Sequence, residues 1–360
     1  MHFSKQVIKT PIFLYLLLFT SILSSCKGQN NPPQQAVATP VADTLNALGN
    51  NIMTVYQDKR NHYWFASWED GLYHYDGKTV QHFTTQNGLP HNRVEDIQED
   101  QSGNLLFNTS GGLCLFDGKK IRVLEPEESN SWILQPNDLW FKSLQFDGKV
   151  YRYDGKILHS LPLPTSKMGE AWMAKRNDVL NPHAIYTIYK DRQGHIWFGT
   201  AAAGACRFNG KTFDWISEDD VTEFHDGPSN GVRSIIEDKD GYFWFNSAYR
   251  YRMNESGNIP NQPFYTREKS IGNLDGLPFS DLWEYLSIAR DNNQVMWIAT
   301  YRNGVWRYDG KETTHFPVQE DGKDITQFSI YKDRQGVLWL GTHENGVYRF
   351  NGKTFERFRL

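Results

Sequence analysis

The sequence predicts an all-β fold, a seven-bladed β-propeller of four-stranded antiparallel blades, and three observations support that prediction. A phrase close to "WFGT" recurs seven times along the chain. Pairs of Asn or Asp with Gly follow it at matching distances and indicate tight turns. The 360 residues include 12 Trp, 18 Tyr and 22 Phe without a long apolar helical face after residue 50, so the composition suits short strands.

The recurring phrase marks the second strand of each repeat. Before it, apolar residues at a spacing of three, such as Ile185 and Ile188, indicate a first strand, because the segment is too short for the helix that this spacing would also suit. An Asp-x-x-Gly turn, such as Asp191 to Gly194, then ends this strand. Six copies begin with a Trp that we expect to pack one blade on the next: Trp64, Trp140, Trp197, Trp244, Trp297 and Trp339.

A hairpin joins the third and fourth strands. Its Asn-Gly or Asp-Gly pair, as in Asn209-Gly210, predicts a type I′ turn with two positive φ angles. One such meander cannot bury both of its faces, so the repeats must pack face to face around a central channel. Helix-pair solenoids do not fit the turn residues, and no linker divides the series into two domains.

These signals place the propeller at residues 50–360. The predicted blades cover approximately residues 50–84, 91–125, 131–163, 183–217, 230–270, 279–318 and 325–359. The third copy is the shortest, and we expect an abbreviated blade there.

The N-terminal residues 1–25 predict an export signal, because Lys5 and Lys9 precede an apolar run too short to span a bilayer comfortably. The following Leu-Ser-Ser-Cys resembles the lipobox of bacterial lipoproteins, which implies cleavage before Cys26 and lipidation of that residue. An ordinary signal peptide that happens to contain a cysteine is the alternative. Residues 26–49 are mostly polar or small and hold three Pro, so they predict a flexible tether.

The other two cysteines, Cys114 and Cys206, occupy a repeat position that holds Tyr or Trp in the other clear copies. We therefore expect buried free thiols and no disulfide. The net charge of -4 comes without a basic run, which argues against nucleic acid as a partner. The sequence contains no zinc, phosphate-loop or hydrolase motif, so we expect no cofactor, no metal and no catalytic residue, in a chain that is a monomer.

The repeat resembles the two-component regulator propeller repeat over about residues 50–359, and "NGLPHNRV" and "DGLPFSDL" match its opening phrase. That family occurs outside the membrane in hybrid sensor kinases and in stand-alone lipoproteins. The kinase relatives continue into a membrane span and a transmitter domain, whereas this chain stops at Leu360, so we expect it to need a partner to signal across a membrane. Streptogramin lyases also resemble the repeat, but their strand-two phrase differs.

Irregular loops on the face that carries the strand 2–3 loops and the blade connections predict a ligand-binding rim. The candidate rim residues are Trp68, Glu69, Asp70, Asn92, Arg93, Trp172, His183, His225, Asn230, Arg233, Tyr249, Arg250, Trp283, Glu284, Tyr301, Arg302, Asn303, His343, Glu344 and Asn345. Taken one at a time, such residues more often cap turns.

These features favour a lipid-anchored, non-catalytic binding or sensing module for a glycan or an envelope protein, with a separate sensor as a further partner. A lyase or hydrolase at the channel mouth is the alternative, and a structural envelope protein is a third interpretation. A tight cluster of His with carboxylates near the axis would favour the enzyme. Lys27 and the lack of acids just after Cys26 favour the outer membrane of a Gram-negative bacterium, at its periplasmic face or at the cell surface.

Overall fold

The structure of the protein is a computed structural model that describes residues 42–167, 169–171, 181–217, 221, 231–245, 249–254, 264–269 and 285–360. Cys26, the signal segment and the tether before residue 42 lie outside these residues. Among the residues described, no helix combines the length and the apolar character that a membrane crossing requires. One short 3₁₀ helix covers Thr85–Asn87.

Most of the described strands fall into groups of four that follow the copies of the repeat, and group 1 carries β1 as a fifth strand. Group 1 holds β1 (Asp43–Leu45), β2 (Ile52–Gln57), β3 (Tyr63–Ser67), β4 (Leu72–Tyr75) and β5 (Val80–Phe83). Group 2 holds β6 (Val94–Glu99), β7 (Leu105–Thr109), β8 (Gly112–Phe116) and β9 (Ile121–Val123). Group 3 holds β10 (Pro126–Glu128), β11 (Leu139–Lys142), β12 (Lys149–Tyr153) and β13 (Leu158–Pro162).

Group 4 holds β14 (Ile185–Lys190), β15 (Ile196–Thr200), β16 (Ala205–Phe208) and β17 (Phe213–Ile216). Group 5 holds β18 (Ile236–Glu237), β19 (Tyr242–Trp244), β20 (Tyr249–Met253) and β21 (Tyr265–Lys269). Group 6 holds β22 (Tyr285–Arg290), β23 (Met296–Thr300), β24 (Val305–Tyr308) and β25 (Thr313–Phe316). A hairpin of β26 (Gln319–Glu320) and β27 (Lys323–Asp324) precedes group 7, which holds β28 (Gln327–Lys332), β29 (Leu338–Thr342), β30 (Val347–Phe350) and β31 (Phe355–Arg357).

The all-β propeller of four-stranded antiparallel units is confirmed. Seven blades for the whole chain stay a prediction. Groups 2, 4, 5 and 6 are simple antiparallel meanders, and β2 to β5 and β28 to β31 repeat that order. Groups 1 and 7 are neighbours, because Ile52 pairs with Thr342 and the Tyr63 hydroxyl donates to Asp333 at 2.8 Å. The series of groups therefore closes on itself.

The six anchor Trp side chains are buried, and each packs on the group that follows it. The ring contacts are Trp64 with Phe107, Trp140 with Phe198, Trp197 with Phe243, Trp244 with Tyr308, Trp297 with Phe350, and Trp339 with Tyr63 of group 1. Aromatic packing between neighbouring groups is thus repeated around the ring, and it includes the contact between the last group and the first.

The Asp that ends strand one also binds the anchor Trp six residues later, a link that the sequence analysis did not identify. Asp191 Oδ2 accepts from Trp197 Nε1 at 3.0 Å, and its Oδ1 accepts from the backbone N–H of His195 at 2.8 Å. The same indole bond joins Trp64 to Asp58, Trp244 to Asp238, Trp297 to Asp291 and Trp339 to Asp333. Trp140 differs, because Leu134 stands six residues before it and its buried Nε1 has no partner.

The predicted type I′ hairpin turns are wrong. Only the Gly of each pair has a positive φ, such as +94° at Gly77 and +92° at Gly210. The preceding Asp or Asn instead uses its side chain as a cap: Asp76 Oδ1 accepts from the N–H groups of Lys78 and Thr79, both at 2.8 Å. A single positive φ at the first central residue is the requirement of a type II′ turn.

Two sheet edges depart from the simple repeat. Asp43–Leu45 pairs with Val80–His82 of β5, so the last part of the predicted tether 26–49 adds a strand to group 1. In group 3, β10 pairs in parallel with β13 at the outer edge, and residues 129–138 form no inner strand. Group 3 is therefore abbreviated, and Trp132 fills the region by packing against Trp140.

Both described cysteines, Cys114 and Cys206, are free and fully buried. Burial raises the pKa of the Cys114 thiol to about 12 and that of Cys206 well above its ordinary value. Neither thiol is available as a nucleophile in the folded protein.

Candidate functional site

The inner strands of five groups carry a β-bulge at the same place. The register shifts by one residue at Met53, Glu95, Tyr186, Leu286 and Phe328, each of which lies five residues before the turn Asp of its group. Arg233 occupies the corresponding position before Asp238. A bulge leaves its extra residue outside the ladder of hydrogen bonds and changes the direction of the side chain. We call Met53, Glu95, Tyr186, Leu286 and Phe328 the bulge residues.

Hydrogen bonds between inner strands place the bulge residues next to one another. Ser329 Oγ donates to the carbonyl of Met53 at 2.6 Å, and Thr54 Oγ1 donates to the carbonyl of Glu95 at 3.1 Å. The residue before each bulge pairs with the Ser or Thr that ends strand two, as Ile185 pairs with Thr200. The bulge residues therefore lie at the end of the inner strands where the strand 2–3 loops begin, which is the predicted rim.

Aromatic rings from three consecutive groups meet at this end. The ring of Phe328 lies 5.1 Å from Trp68, 5.7 Å from Tyr301 and 5.8 Å from His343, and the Arg93 guanidinium lies 4.2 Å from the centre of the Trp68 ring. All five side chains are partly exposed. We call these five residues the mouth cluster.

Charged groups continue the site beside the mouth cluster. Glu95 forms ion pairs with Arg93 at 2.6 Å and with Lys142 at 2.9 Å. Burial acts to raise the pKa of Glu95, but the two cations together lower it below its ordinary value, so this carboxylate is ionised at neutral pH. Burial raises the pKa of the neighbouring Asp96, although Gln98 Nε2 donates to it at 2.9 Å.

The positive side of the mouth extends toward groups 4 and 5. Lys142 Nζ donates to the carbonyl of Tyr186 at 3.3 Å, and the Arg233 guanidinium lies 4.5 Å from the centre of the Tyr186 ring. Because group 3 has no inner strand, Lys142 of its second strand reaches this bulge residue directly. Cations thus flank Glu95 and stack on aromatic faces around the mouth.

The structure brings together Trp68, Arg93, Tyr301 and His343 of the predicted rim in the mouth cluster, and it places the Arg233 guanidinium over the ring of the bulge residue Tyr186. Arg302 stacks on Tyr301 at 5.2 Å, and Glu344 lies 3.3 Å from His343 as an exposed neighbour. Glu69 and Asp70 are exposed at the loop that starts with Trp68.

Other predicted rim residues serve the scaffold. Asn92 Oδ1 accepts from the backbone of Thr85, Asn345 binds Glu320 at 2.6 Å, and the N–H of Asn303 donates to Thr300. His183 is buried and accepts from the N–H of Ser166, and Tyr249 lies under Arg267. Arg250 pairs with Glu268 and lies over Tyr242, next to the Asp-x-x-Gly turn at the opposite end.

Five predicted rim residues lie outside the part of the chain that the structure describes: Trp172, His225, Asn230, Trp283 and Glu284. The sequence analysis missed Glu95, Lys142, Tyr186 and Phe328. Three of these are bulge residues, and each of the three stands five residues before the Asp that ends its strand, a spacing that can be read from the sequence. Phe328 has the largest number of ring partners in the mouth cluster and had looked like an ordinary strand residue.

Comparison with known families identifies the repeat. Residues 180–202, 226–249 and 320–344 match the family model described as two component regulator propeller. No curated protein matches the chain.

Solved structures share the fold at low identity. The extracellular domain of BT4673 from B. thetaiotaomicron, described as a one-component system, is similar with 22% identity and a TM-score of 0.57 over 85% of this chain and 40% of that one. The extracellular domain of BT3049 from B. thetaiotaomicron, described as a hybrid two-component system, has 18% identity and a TM-score of 0.53 over 86% and 41%. The chain thus spans about two fifths of these domains.

Virginiamycin B lyase from Staphylococcus aureus has 14% identity and a TM-score of 0.58 over 85% of this chain and 97% of that one. At these identities the likeness concerns the fold. The mouth cluster and the bulge residues are described from this chain alone.

Proposed function

We propose that this chain, whose repeats match the two-component regulator propeller model, is an exported, non-catalytic module that binds a glycan at its mouth cluster. The observation that carries the proposal is the meeting of four partly exposed rings and a guanidinium on rigid, bulged strands. Flat apolar faces next to fixed hydrogen-bond donors suit a sugar ring, which presents a C–H face and a polar edge.

The charges on the Arg93 and Lys142 side of the mouth support a neutral or acidic glycan, while exposed carboxylates of Glu69, Asp70 and Glu344 lie beside Trp68 and His343. Two cations, Arg93 and Lys142, contact the single carboxylate of Glu95, so the net charge of these three side chains is positive. Arg302 adds an exposed cation next to Tyr301. An acidic group on the ligand would accept charge-assisted hydrogen bonds from these donors. An envelope protein that presents an acidic or glycosylated surface would use the same contacts.

The export and anchoring part of the proposal depends on the N-terminal sequence. The Leu-Ser-Ser-Cys signal ending at Cys26 supports cleavage and lipidation, and the extracellular domains that share the fold fit a location outside the cytoplasm. The anchor would hold the propeller at the outer membrane. A Cys26→Ser variant should leave the membrane fraction, and continued membrane association of this variant would contradict the anchor.

Binding can be tested with the full-length chain in detergent and an array of bacterial and host glycans. Trp68→Ala should weaken binding of any glycan that the wild type retains by more than about tenfold, because truncating a hot-spot aromatic side chain costs about 2 kcal/mol or more. Tyr242→Ala is the matched control, since Arg250 lies 4.0 Å from that ring at the opposite end.

Equal binding by both variants would place the ligand away from the mouth cluster. An array without any retained glycan would refute the glycan proposal. Co-purification of one envelope protein that depends on Trp68 would then identify a protein ligand at the same mouth.

A second candidate function is acid/base catalysis at the mouth, and one observation favours it. The neighbouring carboxyls Glu95 and Asp96 have pKa values shifted in opposite directions, a pattern that can supply a base and an acid. Mass spectrometry of retained glycans after incubation tests it: product that disappears in Asp96→Asn while binding persists would establish an enzyme. Unchanged glycans in the wild type would exclude it for those substrates.

A further inference from the structure

A second cluster of polar side chains lies in group 1, at the end opposite to the mouth. Asp58 ends strand one, His62 closes the same turn, and His74 lies on β4. One ligand atom from each of these residues can be chosen so that all lie within 4.8 Å of one another. Asp58 is buried, and the two imidazoles are partly exposed.

The two imidazoles face each other through their ring nitrogens. His62 Nδ1 lies 3.0 Å from His74 Nε2, and His74 Nδ1 lies 3.1 Å from Gln81 Oε1. An amide oxygen only accepts, so His74 Nδ1 carries a proton and, in the neutral ring, its Nε2 lone pair points at His62.

Metal-bound histidines commonly donate their second ring N–H to an oxygen in this way. Two imidazole nitrogens on one tetrahedral Zn²⁺ ion are separated by about 3.3 Å, given a Zn–N bond of about 2.0 Å. The observed separation of 3.0 Å is close to this value. The two imidazole nitrogens therefore lie at metal-ligand spacing, and a carboxylate oxygen of Asp58 lies within 4.8 Å of a nitrogen of each ring.

Comparison with the other groups shows that these positions are special in group 1. The cross-strand partner of the anchor Trp is His74 in group 1 but Arg152 in group 3, Arg207 in group 4 and Arg349 in group 7. In group 3 the two corresponding positions hold a buried ion pair, in which Arg152 Nη1 lies 2.7 Å from Asp138 Oδ2. Opposite charges thus face each other in group 3, whereas two imidazoles face each other in group 1.

We propose that Asp58, His62 and His74 bind one divalent transition-metal ion of the Zn²⁺ class. Two neutral imidazoles and a carboxylate favour zinc and its neighbours over Ca²⁺ or Mg²⁺, which prefer oxygen ligands. Three protein ligands leave a coordination position for water or for a group of another molecule. Asp58 Oδ2 retains a lone pair for the ion while it accepts from Trp64 Nε1 at 3.0 Å.

Asp58 and His62 stand at the two ends of one turn, four residues apart. His74 lies on β4, sixteen residues after Asp58. No compact spacing motif therefore marks them in the sequence. The position of Gln81 on β5 makes it a positioning residue, which holds the His74 ring in the tautomer that the ion requires.

The test is titration of the chelator-treated full-length chain in detergent with ZnCl₂ and, separately, with CoCl₂. We expect one equivalent of tight binding, with the visible Co²⁺ absorption of a tetrahedral or five-coordinate site. His74→Arg, which restores the residue of groups 4 and 7, should weaken binding by more than about 100-fold, since even outer residues of metal sites contribute about 10- to 100-fold. Gln81→Leu should weaken it by about 10- to 100-fold and Gln81→Glu should restore it.

The matched control is His195→Gln, because His195 holds the position of His62 in group 4, where Arg207 stands in place of His74. That variant should bind as the wild type does. If His74→Arg fails to fold, as judged by circular dichroism, His62→Gln takes its place. Absence of stoichiometric binding in the wild type, or unchanged affinity in the folded ligand variants, would overturn the proposal.

Discussion

The anchor Trp of groups 3 and 4 offer a matched experiment on the scaffold. Trp197 is fully buried and its Nε1 donates to Asp191, whereas Trp140 is nearly as buried and its Nε1 has no partner. Trp→Phe at either site removes the same atoms from an inter-group aromatic contact. The packing terms should therefore be similar, and the two variants should differ through the hydrogen bond.

The size of the difference follows from the two environments. At Trp197 the substitution removes a bond to a charged acceptor, which contributes about 1.5 to 3 kcal/mol. At Trp140 it removes a buried donor without a partner, which relieves a penalty of about 1 to 3 kcal/mol. The sum of the lower bounds predicts that Trp197→Phe lowers the free energy of unfolding by at least about 2.5 kcal/mol more than Trp140→Phe does.

Urea unfolding followed by circular dichroism measures both variants, and an unchanged m-value shows that the comparison concerns stability. A double-mutant cycle with Asp191→Ala isolates the indole–carboxylate bond, with an expected coupling of about 1.5 to 3 kcal/mol. Equal losses of stability in the two Trp variants, or a coupling near zero, would refute the role assigned to this bond.

Three further predictions follow from burial. Burial raises the pKa of Asp96 in the folded state, so ionisation of this carboxyl opposes folding as the pH rises above the ordinary pKa of 3.8. Asp96→Asn should therefore stabilise the protein at pH 7 and lose that advantage below pH 3.8. A difference in urea midpoint that stays constant across pH would contradict this prediction. Cys114 and Cys206 should resist alkylation until the chain is unfolded, and peptide mass shifts in the folded protein would show that they are accessible. Gly341→Ala would place a Cβ 2.5 Å from the carbonyl of Met53 and should lower the free energy of unfolding by about 1 to 3 kcal/mol, with an unchanged urea midpoint as the refuting result.

The parts of the fold that depend on local chemistry could be predicted from the sequence. The anchor Trp residues and the Asp-x-x-Gly turns recur as letters, and the Gly at the end of each turn does have positive φ, such as +87° at Gly194. The hairpin type was wrong because Asn209 and its equivalents cap the turn with their side chains. A competition between backbone φ and side-chain capping is not visible in the letters alone.

The candidate site was only partly predictable, because a bulge depends on how two strands pair. Phe328 and Tyr186 look like ordinary strand residues, and only a register shift against the neighbouring strand turns them toward the mouth. Conversely, Asn92 and Asn345 are polar and lie near the rim, yet hydrogen bonds within the scaffold use their side chains. The His62–His74 pair belongs to a third class, in which strand pairing brings together residues that no spacing connects.

The contact between group 7 and group 1 has a consequence for the order of folding. Ile52 pairs with Thr342, and the N–H of Gly346 donates to the carbonyl of Asn50 at 2.6 Å, so residues nearly the whole chain apart complete one sheet. Contacts of such high sequence separation form slowly, because the loop between them must close first. A chain that emerges from its N-terminal end therefore keeps the apolar side of Phe65 and Val80 uncovered until Trp339 arrives, so the first sheet stays prone to aggregation until the last group has been made.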